Sequence, residues 1–119
     1  MRVLNMTNKS IFEKILLKEI PSTIIYETDT VFAVNDINPV APVHILIIPK
    51  KKIATINDLK DTDAGLVGEL VLVAKKLAYD NRIHDTGYRL IWNTNNHGQQ
   101  TVYHIHLHLI GGKQLSWSF

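Results

Sequence analysis

The chain has 119 residues, 45% of them hydrophobic and 20% charged, with a net charge of +2, a balance that suits one globular core and argues against a nucleic-acid platform or a polybasic membrane binder. It has no cysteine, which rules out disulfides and thiolate zinc sites. No apolar run approaches the roughly 20 residues needed to cross a bilayer, and the opening MRVLNMTNKS has no signal-like apolar core, so a soluble cytoplasmic protein is expected, with a single domain over 1–119 and its core at about 10–117.

In chain order, Ser10 and Glu13 have the spacing of a capping box, and Ile11, Phe12, Ile15 and Leu16 recur at helical spacing until Pro21 forbids continuation. A short amphipathic helix over 10–18 is predicted. Two β-rich runs, TIIYE (23–27) and VFAVND (31–36), flank a turn-forming TDT and read as a hairpin. INPVAP (37–42) holds two prolines three apart, which denies helix and predicts a shaped loop. VHILIIP (43–49) is a nearly continuous apolar strand, the pattern of a strand covered on both faces, and Lys50, Lys51 and Lys52 follow it as a solvated exit.

Leu66, Val67, Leu70, Val71, Val73, Ala74, Leu77 and Ala78 give a long helix from Thr62 to about Asp80, with Asp61 or Thr62 as its cap. YRLIWN (88–93), the polar loop TNNHGQQ and TVYHIHLHLIGG (101–112) then predict two antiparallel strands. The expected architecture is α+β: an antiparallel sheet of about five strands with one long and one short helix.

The last strand carries the chemistry. Alternation of side chains puts His104, His106 and His108 on one face and Ile105, Leu107 and Leu109 on the other. Three of the chain's six histidines fall in this row. Clustered imidazoles can bind a metal, with His44 as a fourth ligand and Asp36 brought near by the fold. Alternatively one of them attacks and the others orient it, since neutral imidazole is a competent nucleophile near pH 7 and phosphorus is a natural target. The preceding stretch supplies donors for phosphate oxygens: Gly98 permits close backbone approach, Asn93, Gln99 and Gln100 carry amides, and Thr101 carries a hydroxyl. The central His106 is the best-placed nucleophile.

HIHLHLIGG follows the His-x-His-x-His-x-x pattern, and SIFEKILLKEIPSTIIYETD, NDINPVAPVHILIIPK, GYRLIWNTNNHGQQTVYH and Trp117 match in order around it. Together these segments, from Ser10 to Trp117, resemble the histidine triad nucleotide-binding (Hint) branch of the histidine triad (HIT) superfamily. The resemblance implies a homodimer with a sheet continuous between subunits, a purine nucleotide site of AMP or GMP type, and hydrolysis of nucleoside phosphoramidates, such as adenosine monophosphoramidate or lysyl-AMP, to AMP and amine. It implies His106 as the nucleophile forming a nucleotidyl-imidazole, His104 and His44 as its supporting relay, and His108 as a phosphate ligand. Asp36 and Ile37 resemble the ribose-facing pair, Ile11, Phe12 and Leu46 the walls of the base pocket, and Asn93, Gln99, Gln100 and Thr101 the phosphate contacts.

The scheme requires no metal or cofactor, and neither a nucleic acid nor a membrane is expected as a partner. The chain departs from the family pattern in four places: Gln99 where many relatives have glycine, Val34 where an aromatic is common, Ser10 and Glu13 where some relatives carry zinc-binding cysteines, and a tail that stops two residues after Trp117. Three alternatives to a phosphoramidase remain open at this stage: a dinucleoside polyphosphate hydrolase as in the Fhit branch, a non-catalytic nucleotide-binding interaction protein, and a structural metal protein.

Overall fold

The computed structural model describes residues 9–118; most of the opening stretch read above for a signal core, residues 1–8, lies outside the described residues, as does residue 119. The elements in chain order are α1 (Ile11–Leu16), β1 (Ile24–Glu27), β2 (Val31–Asn35), β3 (Val43–Pro49), two single 3-10 turns (Ile56–Asp58 and Asp61–Asp63), α2 (Ala64–Asp80), β4 (Tyr88–Trp92) and β5 (Leu107–Gly111). The strands form one antiparallel sheet in the order β1-β2-β3-β5-β4, as the α+β expectation requires.

The two sheet faces follow from the period of two along each strand. Val31 and Ala33 of β2, Ile45 and Ile47 of β3, and Leu107 and Leu109 of β5 pack under α2 against Leu70, Val73, Ala74, Leu77 and Ala78. Those helical positions recur at i, i+3, i+4, i+7 and i+8, the stripe that buries one side of a helix. Phe32 and Val34, with Leu46 and Ile48, face the other way and pack against Phe12, with Ile15 and Leu16 at the margin. Strand β3 thus has helix on both sides, which is why its sequence is apolar almost throughout. His44 is its one polar residue, and the register places it diagonal to His108: His44 pairs with Ile110 and Leu46 with His108.

Several boundaries differ from expectation. Helix α1 ends at Leu16, and Leu17 caps it by donating its N–H to Glu13 O. Helix α2 starts at Ala64, with Asp63 rather than Asp61 or Thr62 at the cap position. The Asp63 carboxylate turns away from the helix to accept from Lys51 Nζ (2.8 Å) and Lys60 N (2.9 Å). Val71 lies off the buried stripe and is 39% exposed. The lysine run is also less simply solvated than read, because Lys50 and Lys51 pair with Glu27 and Asp63, and Lys52 Nζ lies 3.5 Å from Glu13 Oε1.

The largest correction concerns the histidine stretch. Regular pairing begins only at Leu107, opposite Trp92 of β4 and Ile47 of β3, so His104 and His106 precede the strand. Their segment leaves the ladder because its polar groups bond elsewhere: Ile105 N donates to Ile53 O (2.8 Å), His104 Nε2 meets Pro49 O (2.8 Å) and His106 Nδ1 meets His104 O (2.9 Å).

Candidate functional site

On the face of the sheet that carries α1, a cavity of about 340 Å³ opens between α1, the β2–β3 region and the start of β5. Its walls include Ile11, Phe12, Asp36, Ile37, Leu46, Thr101, His106 and His108, eight of the residues singled out from sequence. Ile15, Ile20, Pro21, Ser22, Val34, Asn35 and Val102 complete it. Ile11 is 45% and Ile37 87% exposed, so both present apolar surface at the rim rather than in the core. Nothing in the sequence marked Val102, whose place on the wall depends on the irregular path of its segment.

Four imidazoles lie behind or on this wall; backbone partners fix the tautomers of His104, His106 and His44, and through His44 that of His108. A carbonyl oxygen can only accept, so the bond to His104 O puts the His106 proton on Nδ1 and leaves its Nε2 as a lone pair with no partner among the described residues. A backbone N–H can only donate, so the contact from Val40 N (3.2 Å) makes His44 Nδ1 the acceptor and puts its proton on Nε2. That Nε2–H faces His108 Nδ1 at 2.9 Å and Asp36 Oδ2 at 3.4 Å; the shorter contact makes His108 Nδ1 the acceptor. The His108 proton therefore resides on Nε2, a buried donor with no hydrogen-bond partner among the described residues. His106 and His108, with ring centroids 5.0 Å apart, thus present opposite functions on one wall: a lone pair and an N–H.

Burial is the main reason all three triad rings are hard to protonate. Desolvation lowers the pKa of His104 and His106 below the ordinary imidazole value, outweighing the carbonyl each ring donates to. His108 is lowered to about 4, first by desolvation and then by its neighbours His106 and His44. At neutral pH His106 keeps its lone pair and His108 is a neutral donor.

The resemblance implied a relay in which His104 and His44 both serve His106, and the hydrogen bonds divide that work differently. His106 is held by the backbone carbonyl of His104, not by its ring, and His44 is wired to His108. His104 is fully buried, with Nε2 bonded to Pro49 O and Nδ1 to the Ser10 hydroxyl (2.7 Å). Phe12 stacks edge-on against both rings, 5.8 Å from His104 and 4.9 Å from His106.

Of the loop residues expected at the phosphate, only Thr101 lines the cavity; Asn93, Gln99 and Gln100 do not. Gln100 is buried and its amide is committed to the loop itself, Oε1 accepting from Asn95 N (2.9 Å) and Nε2 donating to Ala54 O (2.7 Å) and Val102 O (3.1 Å). Gln99 has φ +64°, the left-handed region that glycine adopts most easily, so the chain tolerates at a cost the conformation that its glutamine made doubtful. Gly98 is required sterically: a Cβ there would sit 2.5 Å from Thr94 O.

Asp36, His44 and His108 offer three ligand atoms within 4.8 Å of one another, a spacing that bears on the metal reading. The Val40 N–H opposes it. A metal on His44 Nε2 would force the ring proton to Nδ1, directly against that backbone donor. No helix among the described residues is long and apolar enough to cross a membrane.

A profile of the HIT domain matches residues 17–115. Over 110 residues, 92% of each chain, the sequence is 51% identical to a protein of Escherichia coli K12 named purine nucleoside phosphoramidase. Among solved structures, a HIT family hydrolase from Legionella pneumophila Philadelphia 1 superposes with a TM-score of 0.89 at 50% identity, covering 92% of this chain and 97% of that one. A histidine triad protein from Clostridium difficile gives 0.87 at 43% identity, covering 92% and 95%.

Proposed function

Because this chain belongs to the HIT domain family, we propose that it hydrolyses the P–N bond of purine nucleoside phosphoramidates, giving a nucleoside monophosphate and an amine through a nucleotidyl-His106 intermediate. The observation that carries this reading is the pair of opposed tautomers on the cavity wall, an unprotonated Nε2 on His106 beside an Nε2–H on His108 that has no partner among the described residues. One is a nucleophile and the other an oxyanion donor, the first set by a backbone carbonyl and the second through His44, itself set by a backbone N–H, before any substrate arrives.

In the first step the His106 Nε2 lone pair forms a bond to the α-phosphorus. The P–N bond breaks with its electron pair passing to nitrogen, which takes up a proton from solvent and leaves as the amine. His108 Nε2–H donates to a phosphoryl oxygen throughout, its ring oriented by the proton shared from His44. The Nδ1–H bond to His104 O stabilises the positive charge that develops on the His106 ring. In the second step water attacks phosphorus, the P–Nε2 bond breaks with its electron pair returning to His106, and one water proton passes to solvent, replacing the one taken up by the amine.

Ile11, Phe12 and Leu46 supply the apolar walls for the purine, Asp36 and Ile37 face the ribose and Thr101 the phosphate side. A wall of this kind recognises a planar base by apolar contact, and the Asp36 carboxylate, with Oδ1 held by Asn38 N (2.8 Å), is pre-oriented as an acceptor. The close similarity to a protein named purine nucleoside phosphoramidase supports the choice of bond and nucleotide.

The working unit is a homodimer in a cytoplasmic setting. Strand β4 is an edge of the sheet, and the exposed apolar residues Leu72 and Tyr79 lie on α2 beside its first residue, Tyr88. An open edge flanked by apolar surface suits pairing with a second copy, which would double the sheet.

Mass spectrometry of enzyme quenched during turnover of adenosine phosphoramidate tests the reading. A nucleoside monophosphate added to His106 is expected; turnover with the adduct on another residue, or no turnover alongside intact nucleotide binding, overturns it. Sedimentation at micromolar concentration should give twice the chain mass.

A further inference from the structure

The stretch that carries His106 lies before β5 and outside the sheet ladder, so something other than strand pairing must hold it. Two kinds of pin are present. Ile105 N donates to Ile53 O, and the His104 ring is fixed at both nitrogens, Nε2–H to Pro49 O at 2.8 Å and Nδ1 from the Ser10 hydroxyl at 2.7 Å. The direction of each bond is settled by chemistry. Pro49 O can only accept, so His104 Nδ1 is the unprotonated nitrogen and Ser10 must donate to it. The same hydroxyl accepts from Glu13 N at 3.0 Å, and Glu13 Oε1 accepts in return from Ser10 N at 2.9 Å.

We propose that Ser10 is a positioning residue for His106, acting through the His104 imidazole to hold the irregular stretch on which the nucleophile sits. Ser10 is the N-cap of α1 and also the residue that links α1 to the buried ring of His104. Helix α1 brings Ile11 and Phe12 to the cavity wall, and Phe12 packs on both His104 and His106. One hydroxyl therefore ties the wall that faces the base to the segment that aims the attacking nitrogen. The His104 carbonyl that receives the His106 Nδ1–H belongs to the same pinned residue, so loosening the ring loosens the acceptor that sets the His106 tautomer.

For its kinetic arm the inference rests on the proposed reaction, and two substitutions separate positioning from capping. Ser10→Ala removes the hydroxyl, and Glu13→Ala removes the reciprocal half of the capping box while leaving the hydroxyl on His104. With adenosine phosphoramidate, Ser10→Ala should lower kcat about tenfold with KM within about twofold, Ser10→Thr should restore kcat to within about twofold, and Glu13→Ala should leave kcat within about twofold. Equal losses in Ser10→Ala and Glu13→Ala, wild-type kcat in Ser10→Ala, or no rescue by threonine would each overturn the proposal.

Ring-nitrogen NMR of 15N-histidine protein supplies an arm that needs no turnover. The wild type should have His104 Nδ1 and His106 Nε2 unprotonated. Ser10→Ala should move the His106 ring signals toward a mixture of tautomers, although Ser10 bonds His104 and not His106, while Glu13→Ala should not. Unmoved His106 signals in Ser10→Ala, or a protonated His104 Nδ1 in the wild type, which can be read even if Ser10→Ala does not fold, would sink the proposal. A wild type that turns over no phosphoramidate would instead defeat the proposed reaction and leave this readout intact.

Discussion

On β5, Leu107 and Leu109 point into a sealed apolar layer under α2, while His108 between them points to a cavity beside α1. The same contrast holds across the sheet. The α2 face buries aliphatic side chains against a 17-residue helix, whereas the α1 face has a six-residue helix and leaves room for a ligand. The difference teaches where stability and chemistry reside in a small domain. A helix of one and a half turns cannot cover a five-stranded sheet, and what it leaves open is lined by imidazoles whose hydrogen bonds are already assigned.

The sharpest way to break this division is to remove the proposed nucleophile. His106→Ala should lower turnover of adenosine phosphoramidate by at least about a thousandfold while the protein stays folded, with a smaller drop in urea midpoint than a truncation in the aliphatic layer, because the lost ring borders a cavity. Leu109→Ala is the mirror experiment. It should cost about 2–5 kcal/mol of unfolding free energy in urea titration, with turnover per folded molecule retained in dilute buffer. If Leu109→Ala abolished turnover without destabilising, the two faces would not be separable in this way.

His44→Ala should reduce kcat/KM about 10- to 100-fold, since it withdraws the donor that orients His108. A pH profile gives a smaller effect. With the His106 pKa lowered by burial, kcat/KM should fall between pH 7.5 and pH 6 by less than the about fourfold that a ring titrating at about 6.5 would lose. For stability the sign is fixed by proton counting: below about pH 6.5 the unfolded chain binds protons that the buried rings refuse, so the fold weakens on acidification until His108 itself protonates at about 4. Gln99→Gly is the mildest test, relieving a left-handed φ and raising stability by about 0.5–1 kcal/mol in urea titration.

The sequence by itself determined the sheet and its helices, because the periods of strand and helix are written in the spacing of apolar residues: Leu70, Val73, Ala74 and Leu77 could form only one stripe, and a β3 apolar on both sides needed cover on both. It also singled out eight of the cavity-lining residues and the capping pair Ser10 and Glu13. Tertiary structure alone decided the rest. Regular alternation predicted three imidazoles on one strand face, yet His104 and His106 lie before the strand, and the partners of the His104 ring, Pro49 O and Ser10, are 55 and 94 residues away in the chain. Gln100 looked like a ligand donor until its amide met Ala54 O. Hydrogen-bond partners distant in sequence leave no periodic trace, and they settle which nitrogen carries the proton in His104 and His108, while backbone groups two and four residues away settle it in His106 and His44.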